Sequence, residues 1–156
     1  MKCLKFIVLF CFLGQMYSCN NENETSDSTS IQIGNYIFNF PSKFKLEEQQ
    51  GIDSYVGNIN GSGISIFFDY GWYTGPVNNP SLNQYIVNED EISGHYRQIV
   101  KSINSESNSI RIHLYNISEA LENPLETNSL TMYANQLSIS QQEMLDEVFN
   151  NVIIVE

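Results

Sequence analysis

Beyond residue 19 the chain contains no cysteine. The three it has, Cys3, Cys11 and Cys19, all fall in its first segment. That excludes the disulfide framework on which small exported domains often rely, and it leaves the body of the chain without a cysteine nucleophile or a CxxC zinc pair. Basic residues are also scarce. Seven Lys+Arg stand against eighteen Asp+Glu, a formal net charge of −11. Such a surface repels phosphate backbones, so nucleic-acid binding is not expected. The longest N-terminal apolar run, Leu4 to Leu13, is broken by Lys5 and falls short of the ~20 residues that a bilayer-spanning helix needs. No GxSxG elbow, P-loop or HExxH occurs, and the glycines Gly57, Gly61 and Gly63 do not precede a helix as a dinucleotide site requires. The two histidines, His95 and His113, have no metal-ligating neighbour at zinc-site spacing. No metal, cofactor or catalytic activity is expected on this inventory.

What the first segment does have is an address. Lys2 and Lys5 form a positive n-region, the Leu4–Leu13 run an apolar h-region, and Gly14, Gln15 and Ser18 supply small and polar residues before a cut. This is the order of a secretory signal, over residues 1–18. Met16-Tyr17-Ser18-Cys19 resembles the lipobox of bacterial lipoproteins. Ser18 fits the position before the cut, whereas Met16 stands where leucine is usual and Tyr17 is bulky. The resemblance implies acylation of Cys19 and a place in the bacterial cell envelope, on the outer membrane. Loss of Lys2 and Lys5 would take the formal charge from −11 to −13. Attachment to anionic lipid must then come from acyl chains, at ~0.8 kcal/mol per buried CH₂. Asn20 to Ser30, NNENETSDSTS, holds no apolar residue and cannot offset its ordering entropy. Residues 19–30 are therefore expected to be an anchor and disordered tether, reaching about 40 Å at full extension. The acids Glu22, Glu24 and Asp27 resemble the export signal of surface lipoproteins in Bacteroidetes.

Residues 31–156 read as a single α+β domain. Tyr36–Phe40 is an aromatic strand stopped by Pro41, and Lys43–Glu48 a half-buried one. Ser54–Ile59 and Ile64–Tyr70 flank Asn60-Gly61-Ser62-Gly63, a hairpin signal. Ile64, Ile66, Phe68 and Tyr70 share one face by the two-residue strand period. The stretch 71–80, GWYTGPVNNP, is a loop. Asn79 and Pro80 suggest the start of a short helix lined by Leu82, Tyr85 and Ile86. Gly94–Ile103, Ser109–Ile117 and Leu130–Ala134 read as strands, with Ile110, Ile112 and Leu114 inward and Arg111, His113 and Tyr115 outward. Ser118–Leu121 reads as a helical turn. Ser140 and Glu143 form a capping-box pattern, and Met144, Leu145, Val148, Phe149 and Val152 follow at helical spacing.

Tyr36-Ile-Phe-Asn-Phe-Pro-Ser-Lys-Phe44, with the closing amphipathic helix and apolar strand, resembles PsbP-like and Mog-type domains. The stretch from Ile64 to Pro76, with its Phe-Asp-Tyr-Gly, resembles small lipoproteins of Bacteroidetes. The resemblance implies an antiparallel sheet with flanking helices in an α/β/α sandwich, the C-terminal helix packed on the sheet, and a role in binding or assembly.

Tyr70, Trp72 and Tyr73 are the candidate binding loop. Aromatic faces there could stack on sugars or anchor a protein. Alternatively Trp72 tucks back to plug the core, which the general burial of tryptophan favours. Glu89-Asp90-Glu91 reads as a solvated acidic loop, and His113 as a solvated surface residue. The expected function is a non-catalytic, lipid-anchored module engaging a protein or glycan partner. Two alternatives stay open: an envelope hydrolase using paired carboxylates such as Asp53 and Asp69, and an inhibitor or immunity lipoprotein with an acidic masking surface.

Overall fold

The computed structural model describes residues 28–103 and 108–155. The expected signal peptide, Cys19 and residues 20–27 lie outside them. Two antiparallel sheets and two helices make up the described chain. β1 (Thr29–Ile33), β2 (Tyr36–Phe40) and β10 (Ile153–Ile154) form the small sheet, with β2 central. β1 starts at Thr29, inside the stretch read as tether.

The large sheet contains β3 (Phe44–Gln49), β4 (Ser54–Gly61), β5 (Ile64–Gly71), β6 (Tyr85–Ile92), β7 (His95–Ser102), β8 (Asn108–Asn116) and β9 (Ser129–Leu137). Its order is β3-β4-β5-β9-β8-β7-β6, antiparallel throughout. β9 thus inserts between β5 and β8. The chain leaving β5 must cross three strands to reach β6, roughly 19 Å at ~4.8 Å per strand. Residues 72–84 make that crossing as a strap over one face.

Strand alternation gives the two faces different covers. On one face Gly57, Phe68, Met132, Ile112 and Ile99 stand in a cross-strand row, and all but the glycine belong to one buried cluster. That cluster also takes in Phe38 and Phe40 of β2 and Leu145, Val148 and Phe149 of α2 (Ile139–Asn150). The Phe38 and Phe149 rings meet edge-on at 6.0 Å. Arg97 of β7 donates from Nε to Asp90 at 2.8 Å and from Nη1 to the Asn150 carbonyl at 2.8 Å. Its cation therefore sits against the C-terminal carbonyls of α2, where the helix dipole favours it. Gly34 turns β1 into β2 at φ +55°, and a Cβ there would collide with the Tyr70 ring.

Several expectations need correction. The hairpin turns at Ser62-Gly63, both at positive φ, while Asn60 and Gly61 remain in β4. A two-residue turn of the primed type needs that pair of left-handed residues. The capping box is Ser138 with Gln141, not Ser140 with Glu143. Both pairs match the pattern, but buried Leu137 ends β9 directly before Ser138, so the earlier pair caps. No helix starts at Asn79. Residues 81–84 make one turn, closed by Tyr85 N–H donating to the Ser81 carbonyl at 3.0 Å. Glu89-Asp90-Glu91 lies in the edge strand β6, where charge discourages pairing with a further strand. The short helix α1 (Ile117–Glu122) is capped by Asn116, whose Oδ1 accepts from Glu119 N–H.

Candidate functional site

The strap side of the large sheet holds a second cross-strand row: Glu89 with Gln98, His113, Thr131 and Asp69. These residues alternate with the core row on the same strands. They point away from α2 and, from β7 to β9, lie under the strap. Three bridges hold it down. Thr74 and Ser129 share a hydroxyl bond of 2.5 Å, and Ser129 Oγ donates to the Thr74 carbonyl at 3.0 Å. Arg111 Nη2 donates to the Gly75 carbonyl at 2.7 Å. The Gln98 amide treats Val77 as a neighbouring strand would: Oε1 accepts from Val77 N–H at 2.8 Å, and Nε2 donates to the Val77 carbonyl at 3.1 Å.

His113 is consequently buried, not solvated as the alternation alone suggests. Its outward direction is right, but outward here means beneath the strap. Nδ1 lies 2.9 Å from Thr131 Oγ1. Burial, and then the charge of Arg111, push the imidazole down to about 4, so it is neutral at physiological pH. At the β6 edge, Glu89 accepts from Tyr96 and from Gln98, both at 2.8 Å. Those two bonds, that of Gln98 first, hold its carboxyl below the usual range. Tyr96 is pushed up, by burial first and then by Glu89.

Three cavities border the strap. One of about 570 Å³ lies against Glu89, Tyr96 and Gln98. A second, about 340 Å³, is walled by Tyr85, Val100, Arg111 and Tyr133. The third, about 280 Å³, is bounded by Trp72, His113, Tyr115, Ala120, Pro124 and Thr127.

Trp72 does not plug the core: it is 51% exposed on the rim of the third cavity, and the adjacent Tyr73 is 80% exposed. Tyr70 is separated from them. It is half-buried on the core side, its ring edge-on to Tyr36 at 6.5 Å. Asp69 is half-buried on the strap side, and its Oδ1 meets no hydrogen-bond partner among the described residues. Asp53 is exposed in the loop before β4. His95 faces the core side, against the Tyr36 ring at 5.5 Å. Trp72, Asp69 and His95 therefore do not converge. Sequence reasoning missed Gln98 and Arg111 as strap anchors. The available signal was a turn-rich linker long enough to cross a sheet.

Among the described residues no group of three His, Cys, Asp or Glu could hold a metal ion, and no helix is long and apolar enough to cross a membrane. No family model, no curated protein and no solved structure matches the chain.

Proposed function

We propose that this chain is a lipid-anchored binding module of the bacterial envelope, held through Cys19 and engaging a protein partner with the end of the sheet that carries Trp72. One observation carries the reading. Ile52, Trp72, Tyr73, Leu121 and Leu125 are all large, apolar and more than half exposed, and they cluster at one end. Ser54 pairs with Gly71, Gly71 with Ser129, and Ser129 with Tyr115. Ile52 and Trp72 flank the first of these pairs, while Leu121 and Leu125 lie on the segment joining β8 to β9. Exposed apolar groups gathered in this way mark an interaction surface. Aromatic side chains, tryptophan and tyrosine above all, make effective anchors there.

The described chain begins at the other end. Thr29 pairs with Phe40, and its hydroxyl accepts from Phe44 N–H, next to the 62–63 turn. An anchor upstream of Thr29 would tie that end to the membrane and leave the Trp72 end facing outward. Confinement to a surface raises the effective concentration for a partner there. The same reading takes the architecture as a PsbP-like or Mog-type sandwich with α2 packed on the sheet. The contacts of α2 with β7, β8 and β9 support it.

Two experiments test the proposal. Radiolabelled palmitate fed to cells producing the full chain is expected to label it, and Cys19→Ser to abolish the label; an equally labelled C19S chain would contradict the anchor. Partner capture by the full chain is expected to fail with Trp72→Ser and Tyr73→Ser together. Capture unchanged by that pair, or recovery of a glycan in place of a protein, would overturn the docking surface.

A further inference from the structure

The second cavity holds a cation for which the described residues supply no carboxylate partner. Arg97 pairs with Asp90 and Lys101 with Asp146, but Arg111 has no carboxylate within ion-pair reach among the described residues. One of its nitrogens donates to the Gly75 carbonyl. The Nε–H is buried and meets no acceptor among the described residues. Burial lowers the guanidinium from its ordinary value, and Tyr133 offsets this only in part. The same uncompensated charge acts on His113. A buried donor without an acceptor costs free energy, and a desolvated charge without a partner costs more. In a chain of net charge −11, leaving one arginine in that state is a feature to explain.

The surroundings of Arg111 indicate what would satisfy it. Val77, Pro80 and Val100 give the cavity apolar walls, and Tyr85 and Tyr133 add aromatic ones. Its volume, about 340 Å³, falls at the lower end of the ~300–1,000 Å³ typical of small-molecule sites. No lysine or second arginine lines it, so one negative charge suits it better than a doubly charged phosphate.

We propose that this cavity binds a small organic monocarboxylate, whose carboxylate pairs with the Arg111 guanidinium and whose apolar or aromatic body lies against Val77, Pro80 and Val100. A charge-assisted bond to guanidinium is the strongest contact such a site can offer, and apolar contact with the walls adds to it. This site does not depend on the docking end: it uses a different cavity and different side chains.

The test is an NMR titration of the full chain with benzoate, benzyl alcohol and inorganic phosphate as separate probes. At pH 7, where the probe is ionised, benzoate is expected to shift the Arg111 guanidinium resonances and those of the His113 ring, on which the Arg111 charge acts. Benzyl alcohol keeps the ring but loses the charge, and is expected to bind at least about tenfold more weakly. Arg111→Met is expected to abolish the benzoate response. If that variant fails to fold, Arg111→Lys keeps the charge without the planar guanidinium fork and is expected to bind at least about tenfold more weakly. No shift at millimolar benzoate overturns the proposal. So does equal binding of benzoate and benzyl alcohol, or phosphate binding as tightly as benzoate.

Discussion

The two faces of the seven-stranded sheet are built from alternate residues of the same strands, yet they are closed by different means. On the core face Phe68, Met132, Ile112 and Ile99 meet the aromatic strand β2 and the helix α2. Apolar surface is covered by apolar surface, and the contact has no preferred direction. On the strap face Gln98, His113, Thr131 and Ser129 are just as buried, but their cover is a loop. Polar groups beneath a loop need directed partners, and Gln98, Ser129 and Arg111 Nη2 find theirs in the backbone of residues 74–77. A face closed by a few directed bonds can open locally, whereas one closed by packing opens only with the whole fold.

The sharpest test of that contrast is Phe68→Ala. It should cost about 3–5 kcal/mol of global stability, the usual penalty for truncating a fully buried phenylalanine. A denaturant midpoint barely altered would mean that the core row does not hold the sheet together.

Next in size is a pH effect confined to the strap face. His113 has its folded pKa lowered to about 4 from an ordinary 6.5. Between those values the unfolded chain binds the extra proton, so stability is fully present above pH 6.5 and declines as pH falls toward 4. The whole interval is worth on the order of 3 kcal/mol. Denaturation curves at pH 7 and pH 4.5 should show the loss, and His113→Asn should remove most of it. An unchanged pH slope in that variant would place the acid sensitivity elsewhere.

Gln98→Ala should cost less, about 1–3 kcal/mol, because it removes the amide's bonds to Val77. Hydrogen exchange is expected to quicken in residues 74–80 and to stay slow in β8 and β9. Uniform acceleration would show that strap and core open together. The smallest effect is expected at Ser138→Ala, about 1 kcal/mol for a lost N-cap, whereas Ser140→Ala should be nearly silent. The reverse order would return the cap to Ser140.

The core face was legible in the sequence because alternation in Ile64–Tyr70 and Ile110–Leu114 and the helical spacing of Leu145, Val148 and Phe149 are local signals. The strap face was not. Alternation correctly turned Arg111 and His113 away from the core, but nothing local says that a loop holding Gly75, 36 residues before Arg111, will cover them. That follows only from β9 inserting between β5 and β8, a non-local pairing. The same insertion makes β6 an edge strand, so its acids looked like loop residues. Trp72 was readable as either plug or anchor, since burial depends on where the strap begins.

The central claim is that the Trp72 end of the sheet, not the end where the described chain begins, meets the partner. Site-specific photo-crosslinking of the full chain in cells tests it most directly, with a photoreactive phenylalanine at position 72 or at the exposed Ile139 of the opposite end. The account expects one discrete protein adduct from position 72 and none from position 139. An adduct from position 139 alone would contradict it.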